Sequence, residues 1–559
     1  MGLNGFTSRT RLRNGHETRK TAGRWGLGVV LGVVLGTAAL TVLMAKDKSR
    51  NATSDWPMFG RDVTNTANNP NEKVISTKNV NQLKTKWTFT TGGDVSARAA
   101  VVDGVAYFPD WAGNLWAVDA SSGSSIWSHQ LSDYGLATGT VSRTSPAVAD
   151  GVVYVGTQYV ASAKTGWLLA IDAKTGNLNW KVQPDTSNSF PVITSSPAVA
   201  GGVVYVGMTS NEEFAAADPS YPCCSVRGSI VAVKASNGAV LWQTFTVPKY
   251  YSGGASWGSN PVVDTKRHLV YVGTGNNYSE PSTKDIAYWN CINEGGTEAQ
   301  CISPNDHADS ILALDMSTGA VKWATRLMTW DQTGVTNGSD SWNVSCFVSP
   351  YSNCPPPPTG PDYDFGSAPN EITYRNSRGK PVTIIGAGQK SGIYYALDPD
   401  TGAELWQTVV GPGSSLGGIE WGSASDDKRI YVAISNFYGI PYGPNGSWSA
   451  GSWAALNPGT GNIVWQVADP NGAVDLGPVS VANGVVYAAS MAGTSTASTM
   501  FALDASSGKT LWSFAAGSSV NAGATIVDGT VYWGSGYAHL GIPGYTGNNQ
   551  FFAFSINGQ

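Results

Sequence analysis

The chain has 559 residues, whereas one ordinary compact core holds about 100–200. It therefore contains several domains or one large repetitive architecture. Glycine is abundant at 67 residues, charged residues make up only 13%, and the chain has 21 tryptophans and 23 tyrosines. Few charges and many aromatic rings exclude a disordered chain and a long-helix protein, and they favour many short strands joined by glycine turns. The net charge of −5 gives no support for a nucleic-acid partner.

The N-terminus carries the features of a membrane-targeted chain. Residues 1–24 contain six arginines and lysines, and residues 25–45 (WGLGVVLGVVLGTAALTVLMA) contain no charge. This length and charge order predict a membrane anchor with a cytoplasmic N-terminus, and a cleaved signal peptide is the alternative. A polar linker (46–55) follows. In either case we expect the rest of the chain to be extracytoplasmic, either anchored to the membrane or secreted.

A repeated phrase dominates the remaining sequence. It consists of an apolar run, an acidic or polar residue, a glycine turn and a tryptophan, and it predicts two antiparallel strands joined by a tight turn. Two further strand signals lie between successive copies, so each unit has the four strands of a propeller blade. The seven copies are LWAVDASSGSSIW (115–127), LLAIDAKTGNLNW (168–180), IVAVKASNGAVLW (230–242), ILALDMSTGAVKW (311–323), YYALDPDTGAELW (394–406), WAALNPGTGNIVW (453–465) and MFALDASSGKTLW (500–512).

The two ends of the chain supply an eighth unit. The C-terminal FFAFSINGQ (551–559) starts the phrase without its tryptophan, and QLKTKW (82–87) is a tryptophan strand without the preceding phrase. Joined in a ring, they remove the exposed sheet edge that an open array would leave. We therefore predict an all-β protein, with one eight-bladed β-propeller over 56–559 that is closed by its N- and C-terminal strands.

Two long insertions and all six cysteines fall in one part of the predicted ring. The insertions are 279–309 and 329–362, and the cysteines lie between 223 and 354. The close spacings indicate local disulfides in an oxidising compartment, although six cysteines allow 15 pairings. The sequence has no C-x-x-C-H motif for haem attachment. We expect the insertions to build a wall or lid over an axial site, with plain surface loops as the alternative.

The repeat A-x-D-x-x-T-G-x-x-x-W and the opening DWPMFGRDVTNTANNP (55–70) resemble the pyrroloquinoline quinone (PQQ)-dependent alcohol dehydrogenases. The resemblance covers 55–559 and implies a tryptophan-docked propeller that binds PQQ and a calcium ion. Non-enzymatic propellers, among them the lipoprotein that assists outer-membrane assembly, share this repeat. The alternative function is therefore a binding or assembly scaffold that has lost the cofactor.

Several segments resemble the cofactor site of that family. SWGSNPVVDTKRHLVYVGTGNN (256–277) implies that Trp257 lies beneath the quinone and that Asn276 is a metal ligand. GPDYDFG (360–366) implies that Asp364 is the catalytic base and a further metal ligand. GQKSGIYYALD (388–398) implies that Lys390 bonds the quinone oxygens, and VSRTSPAVADGVVYVG (141–156) places the carboxylate-binding arginine at Arg143.

The remaining metal ligand is placed with less precision. VGMTSNEE (206–213) implies a glutamate ligand at Glu212, or at Glu213 if the register shifts by one. The family's adjacent cysteines usually come just before the arginine, but here they are Cys223 and Cys224, in YPCCSVRGS (221–229). This arrangement resembles the polyvinyl-alcohol dehydrogenase branch. It implies a disulfide between neighbouring residues at the cofactor site and leaves the identity of the metal open.

The chemistry of these residue types fits the resemblance. A planar tricarboxylate needs an aromatic surface and cationic partners, which Trp257, Arg143 and Lys390 would supply. A carboxylate at Asp364 would remove the hydroxyl proton while hydride passes to the quinone. We therefore expect oxidation of a primary or secondary alcohol, polymeric alcohols included, with electrons passed to an external acceptor such as cytochrome c. Glu420 and Trp421, in GGIEWGS (417–423), are further candidates for the cavity wall.

Overall fold

Antiparallel four-stranded sheets follow one another along the chain, and the computed structural model describes them within residues 54–159, 165–188, 190–258, 260–327, 341–347, 352–355 and 360–559. Eight such sheets occur within these ranges, which confirms the predicted eight-bladed propeller. The predicted basic segment 1–24, the hydrophobic segment 25–45 and most of the linker lie outside the described residues. No helix among the described residues is long and apolar enough to cross a membrane.

We number the blades 1 to 8 and name their strands A to D, from the first strand to the tryptophan-bearing strand. Blades 1 to 4 consist of Ala100–Val102, Val105–Pro109, Asn114–Asp119 and Ser125–Gln130; Ala147–Ala149, Val152–Gly156, Leu168–Asp172 and Leu178–Val182; Ala198–Ala200, Val203–Ser210, Ser229–Lys234 and Val240–Phe245; Val262–Asp264, Leu269–Gly273, Ser310–Asp315 and Val321–Arg326. Blades 5 to 8 consist of Asn370–Arg375, Pro381–Gly388, Ile393–Leu397 and Glu404–Val409; Ala424–Ser425, Ile430–Ile434, Ser452–Leu456 and Ile463–Ala468; Ser480–Ala482, Val485–Ala489, Met500–Asp504 and Thr510–Phe514; Thr525–Val527, Thr530–Gly534, Gln550–Ile556 and Leu83–Thr90.

A few short elements supplement the blades. Asn68–Asn69 runs parallel to strand A of blade 7, Pro191–Val192 pairs with strand B of blade 3, and Thr140–Val141 pairs with Gln158–Tyr159. The α-helices are Glu212–Ala215, Ile286–Asn293 and Glu298–Cys301, and the 3₁₀ turns are Val80–Gln82, Leu131–Tyr134, Val344–Phe347 and Pro444–Gly446. These elements lie in the loops that connect the strands.

The repeated tryptophan holds each blade to the next. In every blade the indole N–H donates to a main-chain carbonyl of the following blade, over N···O distances of 2.8–3.2 Å. The donors are Trp87, Trp127, Trp180, Trp242, Trp323, Trp406, Trp465 and Trp512, and the acceptors, in the same order, are Ala120, Ala173, Ala235, Met316, Pro399, Pro458, Ala505 and Leu83. Each bond contributes about 1 kcal/mol, and the repetition links all the blades.

Blade 8 closes the ring as the sequence predicts. Its outer strand, Leu83–Thr90, pairs antiparallel with the C-terminal strand Gln550–Ile556. Trp512 of blade 7 donates to Leu83 at 3.0 Å, so the N-terminal strand occupies the position of any other tryptophan strand. The A strands of successive blades contact one another from blade 1 to blade 7, and that of blade 8 contacts that of blade 1.

The cysteines form three local disulfides, and these pair all six of them. The pairs are Cys223–Cys224, Cys291–Cys301 and Cys346–Cys354. The first links neighbouring residues, and the other two close loops within the two insertions. This confirms the expectation of local loop disulfides.

A buried arginine links distant parts of the ring. Arg98, two residues before strand A of blade 1, donates to the main-chain carbonyls of Phe59 and Val479 at 2.6 and 3.0 Å. The Phe59 ring lies 4.8 Å from its guanidinium carbon. Gly523 gives the guanidinium room, because a Cβ there would lie 2.4 Å from its nitrogens. Arg98 therefore ties the segment before blade 1 to blade 7.

Candidate active site

A cavity of about 410 Å³ opens at one end of the propeller axis. In an antiparallel blade the start of strand A and the end of strand B lie on the same edge, so the loops at both positions meet here. Most of the residues that line the cavity come from these loops, and Trp342, Val344 and Phe347 come from the second insertion. The second insertion therefore forms part of the wall. Among the described residues, the first insertion contributes none of the lining side chains.

Asp364 is the centre of the polar contacts in this cavity. Its Oδ1 accepts the main-chain N–H of Asn276 at 2.6 Å, and its Oδ2 accepts the indole N–H of Trp257 at 2.7 Å. Lys390 Nζ donates to the same Oδ2 at 3.2 Å. Asp364 is buried. Three donors therefore hold this one carboxylate in a fixed orientation.

Glycines permit the close approach of these groups. A Cβ at Gly275 would lie 2.5 Å from Asp364 Oδ1, and a Cβ at Gly366 would lie 2.7 Å from the Trp257 ring. Both distances are shorter than side chains tolerate. The glycine of the Asp364-Phe365-Gly366 sequence therefore makes room for the indole beside the carboxylate.

Lys390 lies between two carboxylates. Its Nζ donates to Asp362 Oδ1 at 3.0 Å as well as to Asp364, and its main-chain N–H donates to the Asp364 carbonyl at 3.0 Å. Burial alone disfavours the ammonium ion, but the two carboxylates hold the pKa of Lys390 well above its usual value. The side chain is therefore a fixed cation, and its Nζ is 5.0 Å from the centre of the Trp257 ring.

Arg143 lines the cavity beside the indoles of Trp257 and Trp421. The Trp257 and Trp421 rings meet edge to face, with their centres 5.4 Å apart. The guanidinium carbon of Arg143 lies 4.9 Å from the centre of the Trp421 ring and 6.0 Å from that of Trp257. Its Nε is buried without a hydrogen-bond partner. A buried donor of this kind has unused capacity for an anionic ligand.

The two adjacent glutamates point to different surroundings. Glu212 is fully buried, and its carboxylate accepts hydrogen bonds from Tyr221, Ser225 and Val226 in the loop that follows. Glu213 lines the cavity instead. Burial raises the pKa of Glu213 to about 7, against the opposing influence of Lys390. The structure thus brings Glu213, the alternative register, to the polar cluster and directs Glu212 into its own loop.

Two other predicted groups lie beside the cavity. The side-chain NH₂ group of Asn276 donates to the carbonyls of Asn277 and Trp342 at 2.9 and 2.8 Å. These two bonds use the NH₂ group, so the side-chain oxygen is the atom with which Asn276 could bind a cation. Cys223 and Cys224 are not among the lining residues, and Cys223 Sγ lies 3.9 Å from the Asn343 amide. The disulfide therefore contacts the second insertion.

The carboxylates outnumber the cations in this cavity. Glu213, Asp362, Asp364 and Glu420 line it together with Arg143 and Lys390. Burial raises the pKa of Glu420 to about 7 as well, against the opposing influence of Lys390 and Arg143. Among the described residues, no three His, Cys, Asp or Glu side chains are grouped to hold a metal ion by themselves. A cation bound here would need oxygen ligands from elsewhere too.

Some lining residues were missed by the sequence reasoning. Tyr537 is buried against Arg143, and burial raises its pKa to about 12. It lies in a loop of blade 8 that follows no repeat pattern, so no sequence signal identified it. Trp342 belongs to the second insertion, whose general position was predicted but not its side chains. Asp362 could have been found from its spacing of two residues from Asp364.

Comparisons with known proteins extend this picture. The family model described as outer membrane protein assembly factor BamB matches residues 71–325 and 449–557. The chain is 31% identical over 549 residues to a polyvinylalcohol dehydrogenase of Pseudomonas sp., which covers 90% of this chain and 77% of that protein. It is 30% identical over 540 residues to the polyvinylalcohol dehydrogenase of Sphingopyxis sp. strain 113P3, covering 87% of this chain and 74% of that protein.

A solved structure supports the same fold. The quinohemoprotein alcohol dehydrogenase of Pseudomonas putida superimposes with a TM-score of 0.66 and 22% identity, over 90% of this chain and 81% of that chain. The repeat is thus common to assembly factors and dehydrogenases, while the polyvinylalcohol dehydrogenases are similar over nearly the whole propeller. These relatives are enzymes, and they set aside the scaffold alternative. The chain therefore belongs to the family of PQQ-dependent alcohol dehydrogenases, within which it is similar to the polyvinyl-alcohol dehydrogenases.

Proposed function

We propose that this enzyme oxidises a secondary or primary alcohol, polymeric alcohols included, with Asp364 as the catalytic base. The observation that carries the proposal is the convergence of Trp257, Asp364 and Lys390 at one wall of the 410 Å³ cavity, over distances of 2.7 and 3.2 Å. A scaffold has no need of a buried carboxylate with these partners in the wall of a large cavity. The arrangement of these side chains therefore supports a catalytic function, in addition to the support that the fold gives.

The cavity suits a flat, polycarboxylate cofactor. Its volume of about 410 Å³ lies within the range usual for cofactor sites. Trp257 offers an aromatic surface, and Arg143 and Lys390 offer positive charge, with the buried Nε of Arg143 still lacking a partner. We assign the carboxylates of PQQ to Arg143 and its quinone oxygens to Lys390. Because Cys223 and Cys224 lie outside the lining, we assign them an indirect role, through the second insertion.

We assign the metal ligands to Glu213, Asn276 and Asp364, with Glu213 in place of Glu212. Glu212 is enclosed by its own loop and does not line the cavity, whereas Glu213 does. Carboxylate and amide oxygens suit a hard cation, and Ca²⁺ is our choice. The excess of carboxylates over cations also favours a bound divalent ion, which would offset their mutual repulsion.

The residues of the chain define the proton transfer. When bound, PQQ supplies the electrophilic carbonyl that takes hydride from the alcohol carbon. Asp364 takes the hydroxyl proton of the alcohol, so the C–H and O–H bonds break as the new C=O bond forms. Trp257 and Lys390 hold Asp364 Oδ2 in place, so the carboxylate is already oriented before the alcohol binds. Asn276 fixes the other oxygen through its main-chain N–H.

The mouth of the cavity bears on the choice of substrate. Phe214 and Phe347 line it and are 59% and 53% exposed, and Leu540 and Ile542 lie nearby in the lining. Exposed apolar side chains at an entrance suit a substrate with a hydrocarbon backbone. Together with the two polyvinylalcohol dehydrogenase relatives, they support a long secondary alcohol as substrate. We assign the electrons to an external acceptor such as cytochrome c.

We also propose an extracytoplasmic location, because a chain whose six cysteines all form disulfides suits an oxidising compartment. The test of the function is direct. The purified protein is loaded with PQQ and Ca²⁺, and dye reduction is followed with 2-propanol, 2,4-pentanediol and polyvinyl alcohol. We expect turnover that requires PQQ, with a higher kcat/KM for the polymer than for 2-propanol. Tight PQQ binding without turnover of any alcohol would overturn the proposal.

A further inference from the structure

A second, smaller cavity lies on the propeller axis next to the first one. We call it the axial cavity. It has a volume of about 20 Å³ and is lined by Arg98, Ser145, Ser196, Asn260 and Asn521, among others. Arg143 lines both cavities, so the two adjoin. Cavities of this size hold one or two water-sized atoms, since one water needs about 10–15 Å³.

The axial cavity is built at a repeated position of the blades, two residues before strand A. This position carries the residues Arg98, Ser145, Ser196, Asn260, Ala368, Gly422, Pro478 and Gly523 in blades 1 to 8. Arg98 is the only charged residue among the eight. It thus introduces one full positive charge among eight equivalent positions that are otherwise uncharged.

Among the residues that the structure describes, Arg98 has no ionic partner. Its guanidinium donates to the carbonyls of Phe59, Pro478 and Val479 and to the hydroxyl of Ser480. All these acceptors are neutral, and Nε is buried without a hydrogen-bond partner. Arg98 is 1% exposed. A buried charge without a counter-ion is costly in free energy, because neither water nor an opposite charge stabilises it.

The side chains of Ser145, Ser196 and Asn260 are arranged to donate, whereas Asn521 Oδ1, also in the lining, is a buried acceptor without a hydrogen-bond partner among the described residues. The Arg98 main-chain N–H donates to Ser145 Oγ, the Ser145 N–H to Ser196 Oγ, and the Ser196 N–H to Asn260 Oδ1, at 2.9–3.0 Å. Because each side-chain oxygen already accepts a hydrogen bond, the hydroxyl hydrogens and the Asn260 amide hydrogens are what these side chains can offer a ligand. The described residues that line the axial cavity include no aspartate or glutamate.

We propose that the axial cavity binds a monatomic anion, chloride being the natural one. The cavity presents two guanidinium groups, several N–H and O–H donors and no carboxylate among its described lining residues, so a negative ion is the ligand that suits it. Its volume admits a halide but excludes sulfate and phosphate, which have five heavy atoms. The anion is the counter-ion of Arg98, and it stabilises the connection between the segment at Phe59 and blade 7. The proposal is independent of the alcohol substrate.

The first test uses the wild-type protein loaded with PQQ, whose carboxylates we assign to Arg143 in the larger cavity. Crystals soaked in sodium bromide are measured at the bromine absorption edge. We expect one anomalous peak in the axial cavity, next to Arg98 and Asn260. A cavity without anomalous signal, or a peak that appears only in protein without PQQ, would overturn the proposal, since the latter result places the anion in the cofactor site.

The second test measures the thermal midpoint in sodium chloride, sodium bromide and sodium gluconate at equal ionic strength. Gluconate is too large to enter. We expect the midpoint to be about 2–4 °C higher in the halides. Arg98→Met should abolish this difference, and Arg375→Met, which removes an exposed charge at the end of strand A of blade 5, should retain it. If Arg98→Met does not fold, Asn260→Asp decides, because its carboxylate replaces the anion and should also remove the halide effect. Equal midpoints in all salts for the wild type would contradict the proposal.

Discussion

Replacement of Asp364 by asparagine tests the site most sharply, because it changes one atom of the proposed base. The Asn276 N–H keeps an oxygen acceptor at Oδ1, now 2.6 Å away. At the other position an NH₂ group would face the indole N–H of Trp257 and the ammonium of Lys390, which lie at 2.7 and 3.2 Å. Two charge-assisted hydrogen bonds are lost there, and each typically contributes about 1.5–3 kcal/mol. Lys390 keeps its bond to Asp362, which limits the loss of stability.

We expect Asp364→Asn to lower kcat by about 10²–10⁴, the usual contribution of a general base. We expect the free energy of unfolding to fall by about 3–6 kcal/mol, the sum of the two lost bonds. The assay is dye reduction in saturating PQQ and calcium, with cofactor binding followed by quenching of tryptophan fluorescence. The matched control is Asp362→Asn, which removes one bond to Lys390 but leaves the base, and its kcat should fall less than tenfold. An Asp364→Asn enzyme that binds PQQ and keeps more than about a tenth of the wild-type kcat would refute the assignment of the base.

Three further predictions follow from the same geometry. Glu213→Gln should raise the calcium concentration needed for half-maximal activity at least tenfold. Glu212→Gln should lower the thermal midpoint and leave that calcium concentration unchanged. The reverse pattern in calcium titrations and melting curves would assign the metal ligand to Glu212 instead. Lys390→Met should weaken PQQ binding by about 10–100-fold, measured by fluorescence titration, and an unchanged Kd would remove it from the cofactor contacts. Gly508→Ala should cost about 2–4 kcal/mol in urea unfolding, because it combines a positive φ of +73° with a contact of 2.6 Å to the docking tryptophan of blade 6. Gly541→Ala, with a positive φ of +66° and open space around it, should cost only about 1 kcal/mol, and equal losses for the two would exclude the contact as the cause.

The architecture could be predicted because its cause is local and periodic. The docking bond of Trp465 to Ala505, at 3.0 Å, needs one indole and one turn at fixed positions in the repeat. The same spacing recurs in every unit, so each copy supports the others. The two incomplete units at the ends then determine how the ring closes. Arg98 stands where Ser145 and Ser196 stand in the next two blades, so an alignment of the repeats could also have revealed the charged residue on the axis.

The site could be predicted only where spacing along the chain determines position. Asp364 and Lys390 flank strands A and B of one blade, and their loops must therefore meet at the same edge of the sheet. The choice between Glu212 and Glu213 depends instead on one helical turn and the loop after it, which are set by tertiary contacts. The position of Cys223 beside Asn343 likewise depends on how two insertions pack, for which the repeat gives no guide.

Closure through blade 8 also sets the order of events during biogenesis. The strand Gln550–Ile556 is synthesised after every other strand of the eight blades, and it must pair with Leu83–Thr90, which is synthesised before them. Tyr537, a wall residue of the cofactor cavity, belongs to this same late blade. A nascent chain consequently cannot present a finished pocket before Gln550–Ile556 has been made, and the proposed quinone would be captured after that point. For an exported enzyme, cofactor loading would then take place on the far side of the membrane, where the ring first becomes whole.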